Sequence, residues 1–201
     1  MKKSLLLSCI TLLLVLTAGA ALAEDLTGKL GVTGRIGFLV PFDSEAIAGV
    51  SIKNVSTDTG FIGGGGFLYG INKNIAAEFD ITSSGFSGDT DSGKNFADFN
   101  VINLSLGAQY RFKEISGFNP YAGAGLDILV NGATNGLDVD TTVGVHLSGG
   151  VDYFIMKHLA ITGEMKLVIA PSTDIMFNGG KVGNFDPSSF NMTFGLRYFI
   201  N

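Results

Sequence analysis

Eight stretches of this 201-residue chain alternate apolar and polar side chains with a period of two. Because successive side chains of a β-strand point to opposite faces, the alternation predicts strands that each have one apolar and one polar face. In one of them, for example, Leu104 and Leu106 share one face and Asn103 and Ser105 share the other. The predicted strands cover residues 28–40, 59–71, 74–83, 99–112, 120–130, 141–155, 159–170 and 189–200.

The connections between these strands alternate in length. Those after the first, third, fifth and seventh strands are long and polar, over residues 41–58, 84–98, 131–140 and 171–188. Those after the second, fourth and sixth strands are short. An even number of strands with short turns at one rim and long loops at the other is typical of outer-membrane barrels, and closing the sheet removes every unpaired edge. The chain is therefore predicted to be all-β, an eight-stranded antiparallel up-and-down transmembrane β-barrel.

The N-terminal residues form a separate segment. Lys2 and Lys3 precede an apolar run over residues 5–16, and Ala21 and Ala23 mark a small-residue cleavage site. This pattern predicts a secretory signal peptide over residues 1–23 that is cleaved, which leaves residues 24–201 as one barrel domain. The apolar content of 46% with only 15% charged residues excludes disorder, and a net charge of −5 argues against nucleic-acid binding.

Period two alone does not say which face of the barrel points outward. A lipocalin-type barrel would bury its apolar face and expose its polar face to water. Here Tyr69, Tyr110, Tyr153 and Tyr198 all lie on the apolar face near the ends of even-numbered strands, which meet at one rim. A tyrosine belt is typical of a membrane interface. The apolar face is therefore predicted to contact lipid, and the chain to reside in the cell outer membrane.

Three segments resemble the OmpW family of eight-stranded outer-membrane proteins. They are Asn-Pro-Tyr-Ala-Gly-Ala-Gly-Leu at residues 119–126, Gly-Gly-Val-Asp-Tyr at 149–153 and Phe-Gly-Leu-Arg-Tyr at 194–198. OmpX-like and OmpA-like barrels are near relatives. The resemblance implies a route for small hydrophobic molecules that enters from outside and leaves sideways into the membrane. It also implies that the C-terminal strand is recognised by the outer-membrane assembly machinery.

The inward-facing positions divide into two groups. Those near the long-loop rim are apolar and are predicted to line a pocket, or alternatively to complete the packing of the upper barrel: Leu39, Ile62, Val101, Leu129 and Val168. Those deeper in the barrel are charged or titratable and, because enclosed charges must pair, are predicted to form a salt-bridged plug. This charged plug comprises Lys29, Arg35, Glu78, Asp80, Arg111, Asp127, His146, Asp152, Glu164, Lys166 and Arg197.

Two functions remain open from the sequence. One is a narrow passive channel or binding pocket for small hydrophobic molecules. The other is a structural or surface-interaction barrel of the OmpX or OmpA type that acts through its extracellular loops. Apolar residues such as Ile175 and Phe185 in the last long connection fit either a contact site or a lid over the barrel mouth. The expected partners are outer-membrane lipids, small hydrophobic solutes and the assembly machinery.

No enzymatic role, cofactor or metal is expected. His146 and Ser148 faintly resemble the His-x-Ser of outer-membrane lipid A deacylases, but strand parity turns both inward, away from a lipid substrate. Two histidines and no cysteine after residue 23 do not make a zinc site. Asp89 and Asp91 start a calcium-loop pattern in which Asn100 replaces the bidentate glutamate.

Overall fold

The computed structural model describes residues 25–42, 44–48, 51–90, 95–134 and 136–200, so the predicted signal peptide lies outside the described residues. In that part of the chain, no helix is long and apolar enough to cross a membrane. The described residues form thirteen strands in a single sheet. They are β1 (Leu30–Pro41), β2 (Ser44–Ala48), β3 (Ser51–Thr57), β4 (Gly60–Gly70), β5 (Ile75–Thr90), β6 (Asn95–Arg111), β7 (Phe118–Ala133), β8 (Leu137–Val139), β9 (Thr142–Met156), β10 (Leu159–Ile169), β11 (Thr173–Phe177), β12 (Gly180–Phe185) and β13 (Ser189–Ile200).

Eight of these strands close into a barrel. Around the wall the order is β1, β4, β5, β6, β7, β9, β10 and β13, and every neighbouring pair is antiparallel. The circle closes between the first and last strands of the chain, where Leu30 pairs with Ile200 and Pro41 with Ser189. The predicted eight-stranded antiparallel barrel is confirmed, and its strands match the eight alternating stretches of the sequence.

The long connections contain more strand than the sequence suggested. We predicted a long polar connection without strands over residues 84–98, but β5 continues to Thr90 and β6 already begins at Asn95. That prediction was wrong because backbone pairing does not need apolar side chains. Exposed polar groups bridge this hairpin instead, as Ser87 Oγ donates to Asp98 at 2.8 Å. The other long connections contain β2, β3, β8, β11 and β12, which extend the sheet beyond the long-loop rim.

The apolar face of the barrel points outward, as predicted. Along β1 exposed and buried residues alternate without a break, and the exposed ones include Ile36 and Phe38. Three residues of the tyrosine belt are about half exposed, and the ring of Tyr153 packs on Phe118 at 4.9 Å between centroids. A soluble barrel would bury this face, so the exposed apolar wall is the surface that meets lipid.

Glycines let neighbouring strands approach closely on the inner face. A Cβ at Gly37, which is buried, would collide with the carbonyl oxygen of Met192 on β13. At Gly34, which is exposed on the outer face of the same strand, a Cβ would meet nothing within 4 Å. At Gly37 the backbones of β1 and β13 therefore lie in close contact. Glycine adds no side chain to the lumen, so the space there is filled by the large side chains of other inward-facing residues.

Candidate functional site

Arg35 on β1 binds three carboxylates in the middle of the barrel. Its guanidinium lies 2.8 Å from Glu164, 3.0 Å from Asp80 and 3.1 Å from Glu78. These carboxylates come from β5 and β10, so the arginine spans the lumen between strands that are not neighbours. Lys166 Nζ lies 3.5 Å from Asp80 and 3.7 Å from Glu164. All five side chains are at least nine-tenths buried.

A second arginine extends the same cluster toward the short turns. Arg197 on β13 donates to Asp152 at 2.8 Å, to Glu78 at 3.0 Å and to Thr33 at 2.8 Å. Arg111 also donates to Asp152. These contacts join four cations and four carboxylates, so the cluster has no net formal charge. We refer to it as the ion-pair network; its members are Arg35, Glu78, Asp80, Arg111, Asp152, Glu164, Lys166 and Arg197.

Tyr121 completes the ion-pair network and was missed by the sequence analysis. Its hydroxyl donates to Glu164 at 3.0 Å, and its ring lies 5.4 Å from the Arg111 guanidinium and 5.7 Å from that of Arg197. It is the one tyrosine outside the belt. Strand parity could have identified it, because Tyr121 is two positions from the inward-facing Gly123 and six from Asp127.

Three residues of the predicted charged plug lie outside the ion-pair network. Lys29 precedes β1 and is half-buried at the short-turn rim, where its carbonyl accepts a hydrogen bond from Gly70 N. Asp127 and His146 form a separate buried pair higher in the barrel, 2.7 Å apart. The residues of the predicted charged plug therefore form two separate clusters, and Lys29 lies apart from both at the rim. The alternation along a strand predicts which face a side chain is on, but it does not predict the side chain's position along the barrel axis.

The Asp127 carboxylate accepts hydrogen bonds from several sides. His146 Nδ1 contacts one oxygen, while Ser105 Oγ and Asn103 Nδ2 donate to the other. Ser105 and the histidine thus lie on opposite sides of the carboxylate. In a catalytic triad the histidine lies between the serine and the acid. The geometry is that of a buried carboxylate with satisfied hydrogen bonds.

The five predicted pocket residues come together near the long-loop rim. Leu39, Ile62, Val101, Leu129 and Val168 are between 0% and 6% exposed and belong to one apolar cluster. This upper apolar cluster also contains residues that the sequence analysis did not assign to it: Phe86, Phe99, Val139, Ala170, Ile175 and Phe185. Phe86 was missed because it falls in the connection that we predicted over residues 84–98, and Phe99 because it is the first residue of the next predicted strand.

Three stacked phenylalanines close the top of the upper apolar cluster. The ring of Phe99 lies 5.8 Å from Phe86 and 5.0 Å from Phe185, centroid to centroid. Phe185 comes from β12, beyond the barrel wall, and Ile175 of the adjacent β11 is fully buried in the same cluster. Ile175 and Phe185 are therefore buried in the upper apolar cluster and are not exposed on the loop surface.

A small cavity lies between the upper apolar cluster and the ion-pair network. Its volume is about 10 Å³, roughly what one water molecule occupies. Its lining combines apolar side chains, such as Leu39 and Leu129, with polar ones. The polar lining residues are Thr82, Ser84, Asn103, Asp186, Ser189 and Asn191. The interior thus changes from apolar to polar within one layer of side chains.

The short-turn end of the barrel is closed by a second apolar group. This lower apolar cluster contains Leu26, Leu68, Ala76, Phe154, Ala160 and Phe199. The rings of Phe154 and Phe199 stack 5.5 Å apart. Since the ion-pair network and the lower apolar cluster together fill the lower lumen, the described residues leave no aqueous path along the barrel axis, as expected for eight strands.

Comparison with known proteins assigns the chain to a family. Residues 9–198 match the family described as the outer membrane protein beta-barrel domain. The chain belongs to this outer-membrane β-barrel family. It is therefore a protein of the cell outer membrane, and by the convention of such barrels its long-loop rim faces outside and its short turns face the periplasm.

A sequence relative supports the same location. The chain is 29% identical over 139 residues to the uncharacterized outer-membrane protein y4mB of Sinorhizobium fredii. The match covers 63% of this chain and 58% of that protein, so the chain spans less than two thirds of the relative's length.

Solved structures share the fold at low sequence identity. OprG of Pseudomonas aeruginosa is similar with a TM-score of 0.73 and 16% identity, over 87% of this chain and 97% of OprG. AlkL, solved by solid-state NMR in DMPC bilayers, gives a TM-score of 0.62 and 16% identity over 91% and 95% of the two chains. Neisserial surface protein A gives 0.53 and 15% over 85% and 98%. The resemblance to small outer-membrane barrels that the sequence suggested is confirmed.

Proposed function

We propose that this outer-membrane barrel binds small hydrophobic molecules at its outer mouth and conducts them passively into the membrane. The observation that carries the proposal is the order of layers along the lumen. The upper apolar cluster lies at the outer rim, and the neutral ion-pair network lies below it on the other side of the small cavity. Transfer of an apolar solute from water into the upper apolar cluster is favourable in free energy. To continue through the ion-pair network, the solute would have to separate buried ion pairs, which is costly.

Entry requires the lid to move. The cavity holds only about one water, so a solute must displace the stacked phenylalanine rings. Phe185 is the ring best suited to this movement because β12 pairs with β11 and β2, outside the barrel wall. Its displacement breaks no barrel pairing. Phe86 and Phe99 lie on β5 and β6, which pair with each other along their whole length.

A sideways exit is best placed between β10 and β13. Their backbone pairing ends at Val168 and Ser189. Above this point Ser188 Oγ contacts Ala170 N at 3.1 Å and Ala170 O at 3.2 Å, so one hydroxyl bridges the two strands. Pro187 and Ser189, on either side of this hydroxyl, line the cavity. The wall beside the cavity is thus held there by side-chain bonds rather than by a strand ladder.

Uptake of a fluorescent apolar probe by cells tests the proposal. We would compare wild type, Leu129→Asp, Leu129→Met and an empty vector, with heat-modifiable gel migration to confirm folding. Leu129 is 2% exposed in the upper apolar cluster. A carboxylate there should abolish the stimulated uptake, because an unpaired ionised group in apolar surroundings costs far more to desolvate than a neutral polar group, for which the cost is about 2–7 kcal/mol. Methionine conserves volume and should leave the rate within about twofold.

A lid variant gives the opposite prediction. Phe185→Ala removes the ring that closes the mouth and should speed uptake. If wild type, both Leu129 variants and the empty vector take up the probe at the same rate, the proposal fails.

A surface-interaction role remains the second candidate. Its support is the strand β8, which lies at the end of the sheet beyond the rim and pairs with β11. Sheet edges can accept a strand from a partner. If purified protein retains an extracellular ligand and loses it when residues 137–139 are replaced by Pro-Gly-Pro, this function is favoured over transport.

A further inference from the structure

Two carboxamide oxygens of residues that line the cavity below the upper apolar cluster have no hydrogen-bond partner in the described part of the protein. They are Asn103 Oδ1 and Asn191 Oδ1, both buried, on side chains that are more than nine-tenths buried. A buried amide oxygen without a partner is costly, so such groups are normally paired with protein or water. These two atoms are therefore suited to a donor that comes from outside the protein.

The orientation of Asn103 is fixed by its other contact. Asn103 Nδ2 donates to Asp127 Oδ1 at 2.9 Å. Since a carboxylate can only accept, the nitrogen of this carboxamide must face Asp127. The oxygen then faces the cavity. The free group at this position is thus an acceptor.

Both asparagines lie where the apolar and charged layers meet. The cavity described above and a second one beneath it share four lining residues, namely Ile62, Thr82, Asn103 and Asn191. The lower cavity also contacts Arg35, Glu164 and Lys166 of the ion-pair network. Each cavity has a volume of about 10 Å³, so each fits one water or one small polar group.

The charge of the surroundings selects a neutral group. The ion-pair network already balances four cations with four carboxylates. A carboxylate head would bring lone pairs against two carboxamide oxygens and leave a net negative charge. An ammonium head at the two asparagines would add a positive charge beside Lys166 and Arg35, which line the lower cavity with a single carboxylate, Glu164. Asp186 lines the upper cavity only. A hydroxyl supplies the missing donor without disturbing the balance.

We propose that the chamber selects small amphipathic molecules with a neutral hydroxyl head, that is, alkanols. The hydroxyl donates to Asn103 Oδ1 or Asn191 Oδ1, and the alkyl chain lies among the upper apolar cluster. The inference rests on the proposed function, because the same apolar chamber must open to hold the chain.

Binding to the purified barrel in lipid nanodiscs tests the inference. We would compare 1-octanol with 1-methoxyheptane, an ether of the same length that lacks a donor, after correction for partition into protein-free nanodiscs. Wild type should bind the alcohol about tenfold more tightly, the factor expected from one net hydrogen bond. Asn191→Leu should reduce this ratio several-fold without weakening ether binding. Asn119→Leu, the same substitution at the opposite end of the barrel, should leave the ratio unchanged.

The outcomes separate this inference from the proposed function. Equal binding of alcohol and ether by wild type means that ordered water satisfies both asparagines; it overturns the inference and leaves apolar binding intact. Binding of neither overturns both. If Asn191→Leu does not fold, we would instead measure the NMR resonance of the Asn103 side-chain amide in the wild-type protein with each ligand. It should shift with the alcohol and not with the ether, and equal shifts would overturn the inference.

Discussion

Replacement of Arg197 by methionine should strongly destabilise the barrel. The side chain is fully buried and donates to Asp152, Glu78 and Thr33. Methionine fills similar space without a charge. The substitution leaves the ion-pair network with one negative charge in excess, held in the lumen between two apolar clusters.

The magnitude follows from two independent arguments. Removing one partner of a buried ion pair costs about 3–5 kcal/mol, because the other partner remains buried. Two lost hydrogen bonds to carboxylates, at about 1.5–3 kcal/mol each, give a similar range. Asp152 retains Arg111, and Glu78 retains Arg35, so relaxation should keep the loss toward the lower end of the range.

The free energy of unfolding, measured by urea titration in lipid vesicles, checks this value. The matched control is Lys181→Met, which removes an ion pair with Asp174 whose two side chains are 42% and 50% exposed. An exposed pair contributes about 0–1 kcal/mol. Arg197→Met should therefore cost at least about 2 kcal/mol more than Lys181→Met. Equal losses in the two variants would refute the account of the ion-pair network.

A compensating variant sharpens the same test. Asp152→Asn combined with Arg197→Met restores neutrality in the network. The double variant should then be more stable than the sum of the two single losses predicts, by about 1–3 kcal/mol. A strictly additive result would mean that the two residues contribute only by packing.

Two further predictions concern the wall. Leu106→Arg, on the lipid face near mid-barrel, should cost about 2–4 kcal/mol in the same titration, because a charge there meets hydrocarbon; a loss below 1 kcal/mol would place this face outside the membrane. Gly37→Ala should destabilise by about 1–3 kcal/mol because its Cβ would strike the β13 backbone, whereas Gly34→Ala on the open side of the same strand should be neutral or slightly stabilising. Similar thermal denaturation of both glycine variants would contradict the close packing of β1 on β13.

The fold was predictable because period two is a local signal that repeats along the chain. Each strand shows it independently, and the alternation of short and long connections fixed the up-and-down order. The long connections were predicted less well. Side chains around Ser87 and Asp98 are polar, and a polar hairpin beyond the membrane has no apolar face to reveal it.

The sequence predicted which side chains of the site point into the barrel. It did not predict their positions along the barrel axis or the residues that they contact. Parity placed Leu39 and Leu129 inward beside one rim, and the structure brings them together. Parity could not say that His146 would meet Asp127 rather than the ion-pair network, because strand stagger decides which residues face each other across the lumen. For Phe185 the sequence left a contact site and a lid equally open, because it could not show that this residue lies on a strand beyond the wall and packs back into the upper apolar cluster.

The two arginines at the centre of the ion-pair network have a consequence for assembly. Arg35 lies on the first strand of the chain and Arg197 on the last, and Arg197 contacts Thr33 across 164 residues of sequence. Arg35 can reach Glu78 on β5 through the neighbouring β4, but until the last strand arrives Glu78 lacks Arg197, the other arginine that it binds in the finished barrel. A partly formed sheet inserted in lipid would hold that carboxylate exposed to a poor solvent. Insertion and closure should therefore occur as one cooperative event, so that partly inserted intermediates remain unpopulated.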